Sequence, residues 1–132
     1  KVLCQCESHL VVLLYDPVWL ESCLLGRRAR KMLRRMGYPQ GALLEALLKD
    51  LATRMGQSGF PPAIGLVLGY PDRAVEEFIR RGGAGSLCTG YWKAYRHPGE
   101  ARRCFARYDA CREEFLARQS RGQSLCQILR AG

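Results

Sequence analysis

The sequence predicts an α+β fold in which a small antiparallel or mixed sheet is covered by five or six helices. Short segments of strand character occur at residues 1–15 and 90–95, and segments with helical apolar periodicity fill most of the remaining chain. The chain has 132 residues, of which 48% are hydrophobic, so it is long enough to bury a core. We therefore expect residues 1–132 to form a single α+β domain.

A hairpin and an interrupted helix are expected at the start of the chain. Residues 1–15 first alternate and then become continuously apolar, which is typical of a hairpin whose second strand is largely buried. Asp16 followed by Pro17 is a typical helix start, an N-cap residue and then a proline at the first helical position. Gly26 is expected to interrupt this helix, and Gly37 to end the basic helix that comes after it.

Helices joined by glycine-proline corners are expected in the middle of the chain. Gly37-Tyr38-Pro39 and Gly69-Tyr70-Pro71 each place a glycine that can end one helix before a proline that can begin the next. Leucines at helical spacing come after the first corner, and Gly56 is expected to end their helix. The second corner leads into a helix predicted over residues 71–81.

One strand and two helices are expected in the last third of the chain. The aromatic segment at residues 90–95 has the composition of a strand. His97 and Pro98 start a long helix whose apolar stripe includes Cys104 and Cys111, and a short helix comes after it.

Positive charge is concentrated in the segment 27–35. The formal net charge of the chain is +9, and six basic residues with no acid among them fall within these nine positions: Arg27, Arg28, Arg30, Lys31, Arg34 and Arg35. Such a block is typical either of a surface for an acidic partner, such as nucleic acid, or of a solvated helix face. The sequence leaves both interpretations open.

The second corner also matches the helix-turn-helix pattern over residues 61–81. Gly65 is small where two helices approach each other, and Gly69 lies at the turn. In this alternative the helix after the turn enters a major groove, and Arg73 joins the basic segment 27–35 in binding nucleic acid. That helix also carries carboxylates, which repel phosphates: Asp72, Glu76 and Glu77. A plain helical corner is the other interpretation.

The number and spacing of the cysteines indicate a cellular compartment and suggest one class of function. Seven cysteines, without the regular spacing of a disulfide framework, indicate reduced thiols in a cytoplasm. A thiol- or metal-dependent redox protein using Cys4, Cys6 and Cys88 is a further alternative, with Cys88 expected to be the most exposed thiol and with Cys104 and Cys111 expected in the core.

Known catalytic and membrane-spanning patterns are missing from the sequence. No phosphate loop, dinucleotide fingerprint or zincin motif is present, so the sequence indicates no catalytic residue and no particular cofactor. No apolar run approaches the roughly 20 residues that span a bilayer.

Three segments together resemble a bacterial family of unknown function. They are FPPAIGLVLGYPDRAVEEFI at residues 60–79, GYWKAY at residues 90–95, and the later helix with Cys111. Members of that family read roughly FPHEIGLFLGYP and then CGYWKVY. The resemblance runs from about Lys1 to Leu125 and implies the topology of that family, without a particular activity.

The chain departs from the family pattern at three points. Pro62 stands where the family has a histidine, Ala63 stands where it has an acidic residue, and Cys88 is one residue further from Gly90 than the family cysteine. The resemblance also implies an earlier N-terminal segment with a strand and a His-Cys pair, which the present sequence lacks.

The leading functional interpretation is a non-catalytic ligand- or protein-binding module in a bacterial cytoplasm. Its expected surface joins the corner at Gly69 and Tyr70 to the strand at Tyr91, Trp92 and Lys93, where aromatic rings beside a lysine suit a planar or anionic ligand. The alternative is that Tyr70 and Trp92 are core residues.

Overall fold

The computed structural model of the chain describes residues 1–5, 10–41 and 44–130. Within these ranges seven helices, one of them a single turn, and two antiparallel two-stranded sheets confirm the α+β class. The chain divides into two compact units, Lys1–Gly85 and Ser86–Gly132. The expectation of a single domain stays a prediction. No helix among the described residues is long and apolar enough to cross a membrane.

The first unit contains a hairpin and five helices. In chain order they are β1 Val2–Gln5, β2 Leu10–Val12, α1 Pro17–Leu25, α2 Arg27–Arg35, α3 Leu44–Ser58, α4 Ile64–Val67 and α5 Asp72–Arg81. Their inward side chains form one apolar cluster, in which Leu20, Leu48 and Leu51 are fully buried. The amphipathic spacing of leucines on α3 therefore identifies the face of this helix that packs into the core of the first unit.

The N-terminal hairpin buries only one of its faces. Val12 pairs with Val2 and Leu10 pairs with Gln5, with an irregularity in β1 between Val2 and Cys4. Leu10 and Val12 are about half exposed, at 52% and 49%. The expectation of a largely buried second strand is therefore wrong, because a two-stranded antiparallel sheet can keep one face in solvent. His9, expected at the start of that strand, lies outside the described residues.

The first two helices start and stop as the sequence predicts. The side chain of Asp16 accepts a hydrogen bond from the backbone N–H of Trp19 at 2.9 Å, and Pro17 occupies the first turn of α1. Gly26 separates α1 from α2, so the predicted interruption is confirmed.

The first Gly-Tyr-Pro corner ends α2 with a left-handed glycine. Gly37 has a φ of 75°, its N–H donates to the carbonyl of Arg34 at 3.0 Å, and the N–H of Tyr38 donates to the carbonyl of Leu33 at 3.0 Å. This pair of hydrogen bonds is a Schellman motif. Pro39 does not open the next helix as expected, since the chain is still non-helical at Gly41, where φ is 67°.

The second corner repeats the same hydrogen bonds and then continues directly into a helix. Gly69 has a φ of 72°, its N–H donates to the carbonyl of Leu66 at 3.1 Å, and the N–H of Tyr70 donates to the carbonyl of Gly65 at 2.8 Å. Here α5 begins at Asp72, immediately after the proline. The two corners therefore share their helix ends and differ in the conformation of the chain after the proline.

Helix α3 ends later than the sequence suggests. Gly56 lies inside the helix, which continues to Ser58. Gly59 ends it with a φ of 79°, and its N–H donates to the carbonyl of Met55 at 3.2 Å. The expectation for Gly56 is wrong because the later glycine takes the left-handed conformation that ends a helix.

The second unit is a small hairpin on a long helix. Its elements are β3 Cys88–Thr89, β4 Lys93–Ala94, α6 Pro98–Ser120 and α7 Leu125–Arg130. The start of α6 at Pro98 is confirmed. Of the predicted strand at residues 90–95 only β4 is formed, and it pairs with β3 rather than with the N-terminal hairpin. The tight turn between them, in which Gly90 donates to the carbonyl of Trp92 at 3.1 Å, makes this local pairing possible.

Candidate functional site

Helix α2 carries its charges on one side and its apolar residues on the other. Ala29, Met32 and Leu33 are buried in the core of the first unit. With 3.6 residues per turn, the six basic positions fall on the opposite side, and all six side chains are exposed. We call this surface the basic face, and its members are Arg27, Arg28, Arg30, Lys31, Arg34 and Arg35.

Most of the positive charge on the basic face is not neutralised by any carboxylate in the described part of the chain. Arg28 forms an ion pair with Glu76 of α5, with 3.2 Å between Nη1 and Oε2. Among the residues that the structure describes, no carboxylate lies within ion-pair distance of the other five basic side chains. Five uncompensated cations therefore project from a helix that is about 13 Å long.

Arg54 of α3 fixes the C-terminal end of the basic helix. Its guanidinium donates to the backbone carbonyl of Met36 at 2.8 Å and to that of Gly37 at 2.9 Å. Asp50 accepts from the same group at 3.0 Å, and the guanidinium carbon lies 4.0 Å from the centre of the Tyr38 ring. Burial raises the pKa of the Tyr38 hydroxyl, while the charge of Arg54 opposes that rise.

Sequence reasoning missed Arg54. Its only local signal is the spacing of Asp50 and Arg54, four residues apart on a helix, which predicts an ion pair. The two carbonyls that Arg54 reaches are 17 and 18 residues away in the chain. No pattern in the sequence connects them.

The charges of α5 are largely satisfied within the fold. Glu77 accepts hydrogen bonds from Arg80 at 2.5 Å and from Arg81 at 2.8 Å, and these bonds lower the pKa of its carboxyl group. Burial raises the pKa of Asp72, against the opposing effect of the Arg28 charge. Arg73 is exposed on this helix. The predicted recognition helix therefore presents a mixed surface rather than a basic one.

The helix-turn-helix-like corner is tightly packed around two glycines. A Cβ atom added to Gly65 would lie 3.0 Å from Cγ2 of Val75 and 3.2 Å from the ring of Tyr70. The expected close approach of two helices at Gly65 is confirmed. The helix before the turn, α4, has only 4 residues. Close packing thus explains why the corner has a glycine at position 65.

The five residues of the predicted ligand surface are distributed over both units. Gly69 and Tyr70 belong to the first unit, where Tyr70 is half-buried against Gly65. Tyr91, Trp92 and Lys93 belong to the second unit. Ligand binding by these five residues stays a prediction.

The aromatic residues of the second unit pack on one another. The ring centres of Trp92 and Phe105 are 4.6 Å apart in an edge-to-face arrangement, and Tyr91 meets Tyr108 in the same way at 5.0 Å. The hydroxyl of Tyr91 donates to Asp109 at 2.9 Å, and this bond raises the pKa of Tyr91. Packing thus accounts for Trp92, as the core interpretation expects.

The cysteines are arranged differently from expectation. The described ones are free thiols: Cys4, Cys23, Cys88, Cys104, Cys111 and Cys126. Cys111 and Cys126 are exposed, whereas Cys88 is partly buried on the core of the second unit. The expectations of an exposed Cys88 and of a core position for Cys111 are therefore wrong. On α6, Cys111 lies two turns beyond Cys104, where the long helix has left its small core.

Of the three cysteines in the predicted thiol or metal site, the structure describes Cys4 and Cys88. Cys4 packs against the core of the first unit, and Cys6 lies outside the described residues. Within the described ranges no group of three or more His, Cys, Asp or Glu side chains is arranged to hold a metal ion. A thiol- or metal-dependent redox function stays a prediction.

Comparison with known proteins gives a family and no activity. The model of a family described as "Protein of unknown function (DUF3793)" matches residues 1–129. No curated protein and no solved structure matches the chain. The family match extends over nearly all of the sequence, including the three segments on which the resemblance rests. The chain therefore belongs to the DUF3793 family of proteins of unknown function.

Proposed function

We propose that this protein is a non-catalytic binding module that holds the phosphate backbone of nucleic acid on the basic face of α2. The observation that carries the proposal is a set of five cations on one exposed side of a single helix, none of which has a carboxylate partner among the described residues. Lysine and arginine side chains bind phosphates and release the counterions condensed on them, which supplies most of the affinity in sequence-independent binding.

The architecture favours the phosphate backbone over the bases. Base readout needs an element that enters a groove with suitable side chains at its exposed positions. The candidate for that role is α5, whose Glu77 binds Arg80 and Arg81 and whose Glu76 binds Arg28 of the basic face. Binding by α2 alone is therefore expected to depend little on base sequence.

The position of α2 is well defined, which supports its use as a binding surface. Its buried side chains Ala29, Met32 and Leu33 hold it on the core, and Arg54 holds its C-terminal end. The cations are thus presented from a folded helix, and less entropy is lost on binding than from a disordered basic segment. A bacterial cytoplasm, expected from the thiols and from the family resemblance, belongs to the same proposal.

The test is a binding titration with labelled random-sequence RNA, single-stranded DNA and duplex DNA at about 50 mM and about 200 mM salt. If about four phosphates are contacted, the logarithm of the association constant on duplex DNA falls with the logarithm of the salt concentration at a slope of about −3.6. Random and genomic fragments should bind equally well. Absence of binding at the lower salt concentration would contradict the proposal.

A matched pair of variants separates the basic face from general positive charge. The triple variant Arg30→Glu, Lys31→Glu, Arg34→Glu changes three exposed residues of α2. The control variant Arg102→Glu, Arg103→Glu, Arg107→Glu changes three exposed residues of α6 by the same total charge. We expect the first variant to abolish binding and the second to retain most of it, with helix content unchanged in both. An equal loss in the two variants would show that α2 has no special role.

A further inference from the structure

A groove lies between α2 and α5, within the first unit, and nucleic-acid binding as proposed does not require it. Its volume is about 500 Å³, within the range of roughly 300–1,000 Å³ that is typical of small-molecule sites. The residues that line it are Met32, Arg35, Met36, Glu76, Glu77, Ile79 and Arg80.

The apolar part of the groove is aliphatic. Met32 is buried, Met36 is half-buried and Ile79 is 41% exposed. Methionine side chains are unbranched and flexible, so they adapt to a ligand of irregular or extended shape. None of the described lining residues is aromatic, and the groove therefore favours a linear aliphatic chain over a stacked ring.

Among the residues that the structure describes, one cation at the groove has no carboxylate partner. Glu77 binds Arg80 and Arg81, and Glu76 binds Arg28. Arg35 is exposed on α2, and among the described residues no carboxylate lies within ion-pair distance of it. An apolar groove with one uncompensated guanidinium beside it is complementary to a molecule that has an aliphatic tail and one anionic head.

We propose that the groove binds a medium-chain aliphatic carboxylate, with its tail on Met32, Met36 and Ile79 and its head group on Arg35. A guanidinium can donate two parallel hydrogen bonds to a carboxylate, which fixes the orientation of the head. The two helices contribute only 9 and 10 residues. The groove is therefore short, and its length suits the aliphatic tail of one medium-chain carboxylate.

The methionines provide a direct test, because the chain has only three. Met32 and Met36 line the groove, whereas Met55 is 5% exposed in the core and does not line it. Protein labelled with ¹³C at the methionine methyl groups is titrated with decanoate in the absence of nucleic acid. We expect saturable shifts of the Met32 and Met36 signals and no shift of the Met55 signal. Equal shifts of all three, or no shift of any, would overturn the proposal.

Three single variants test the assigned contacts. Arg35→Gln should weaken decanoate binding about tenfold, the effect of losing a charge-assisted hydrogen bond from an exposed side chain. Ile79→Asp, which places a carboxylate against the tail, should abolish binding. Arg34→Gln is the control, since Arg34 belongs to the basic face and does not line the groove. It should leave the dissociation constant within about twofold, the scale of an exposed charge that does not contact the ligand.

Decanol separates the head-group contact from the tail contact. Wild-type protein should bind decanoate about tenfold more tightly than decanol, and Arg35→Gln should bind both equally. If decanol binds wild type as tightly as decanoate does, Arg35 holds no head group and the proposal is wrong. Capture of a peptide or of a second copy of the chain on the same methionines, with decanoate unable to displace it, would also overturn it. Ile79→Asp leaves all six cations of the basic face in place, so failure here is distinguishable from failure of nucleic-acid binding.

Discussion

The indole ring of Trp19 lies directly against Gly69. A Cβ atom added to the glycine would be 2.5 Å from Cη2 of the indole, closer than real Cβ atoms approach other heavy atoms. Trp19 is 52% exposed, and the ring atoms nearest to the added Cβ are Cη2, Cζ2 and Cζ3, at the outer edge of the six-membered ring. The corner thus needs glycine twice, once for its φ of 72° and once for space.

Gly69→Ala is expected to destabilise the protein by about 3 kcal/mol, from the left-handed backbone and from overpacking against the indole. Gly59→Ala is the matched control, because Gly59 has a φ of 79° and no atom within 4 Å of an added Cβ. It should cost only about 1 kcal/mol. Denaturant unfolding of both variants checks the difference, and equal losses would show that the indole yields without cost.

Gly90→Ala is expected to destabilise the second unit by about 2 kcal/mol. The added methyl group would overlap the ring of Phe105, against which Trp92 also packs. Gly99→Ala, in the first turn of α6, meets only the end of Arg103 at 3.8 Å. That control should stabilise by up to about 1 kcal/mol through helix propensity. Thermal unfolding followed by tryptophan fluorescence distinguishes the two results.

Arg54→Met is expected to cost about 2 kcal/mol, because the carbonyls of Met36 and Gly37 lose their charged donor. Arg80→Met is the control, since the Arg80 side chain is 63% exposed in its ion pair. Its loss should cost less than about 0.5 kcal/mol. Chemical denaturation of both variants is the measurement, and similar costs would mean that water replaces Arg54 at these carbonyls.

Glu77 should contribute to the pH dependence of stability. Hydrogen bonds from Arg80 and Arg81 lower the pKa of its carboxyl group from 4.5. A lowered folded-state pKa gives stability that is present above the unfolded-state value and is lost as the pH falls through the folded-state value. Wild type should therefore exceed Glu77→Gln in unfolding free energy at neutral pH, and the difference should shrink below pH 4.5. A difference that does not change with pH would contradict this assignment.

Features set by neighbouring residues could be predicted from the sequence. The cap at Asp16, the interruption at Gly26 and the exposure of the basic side chains all depend on spacing within one helix or on one turn. Both Gly-Tyr-Pro corners are predictable as helix ends for the same reason, since a left-handed glycine needs no distant partner.

Features that depend on distant contacts could not be predicted. The ring of Trp19 on Gly69 joins residues 50 positions apart, and the contact of Gly90 with Phe105 explains a glycine that has no positive φ. The pairing of β4 with β3 depends on a short turn at residues 90–92. Two of its three residues are aromatic, so the segment resembles a strand in the sequence. In the candidate site, the positions of the cations could be deduced from the sequence, whereas the groove beside Arg35 required the packing of α2 on α5.

The two ends of α2 are held very differently. Arg54 clamps the last turn through Met36 and Gly37, whereas the first turn starts at Gly26 without a side-chain cap. Fraying should therefore proceed mainly from the N-terminal end, and the amide proton of Arg30, which donates to the carbonyl of Gly26, should exchange with solvent faster than that of Met36, which donates to the carbonyl of Met32. A polyanion lying along the helix would tie down this looser end, so it would act as the missing cap and slow exchange most where the free protein opens first.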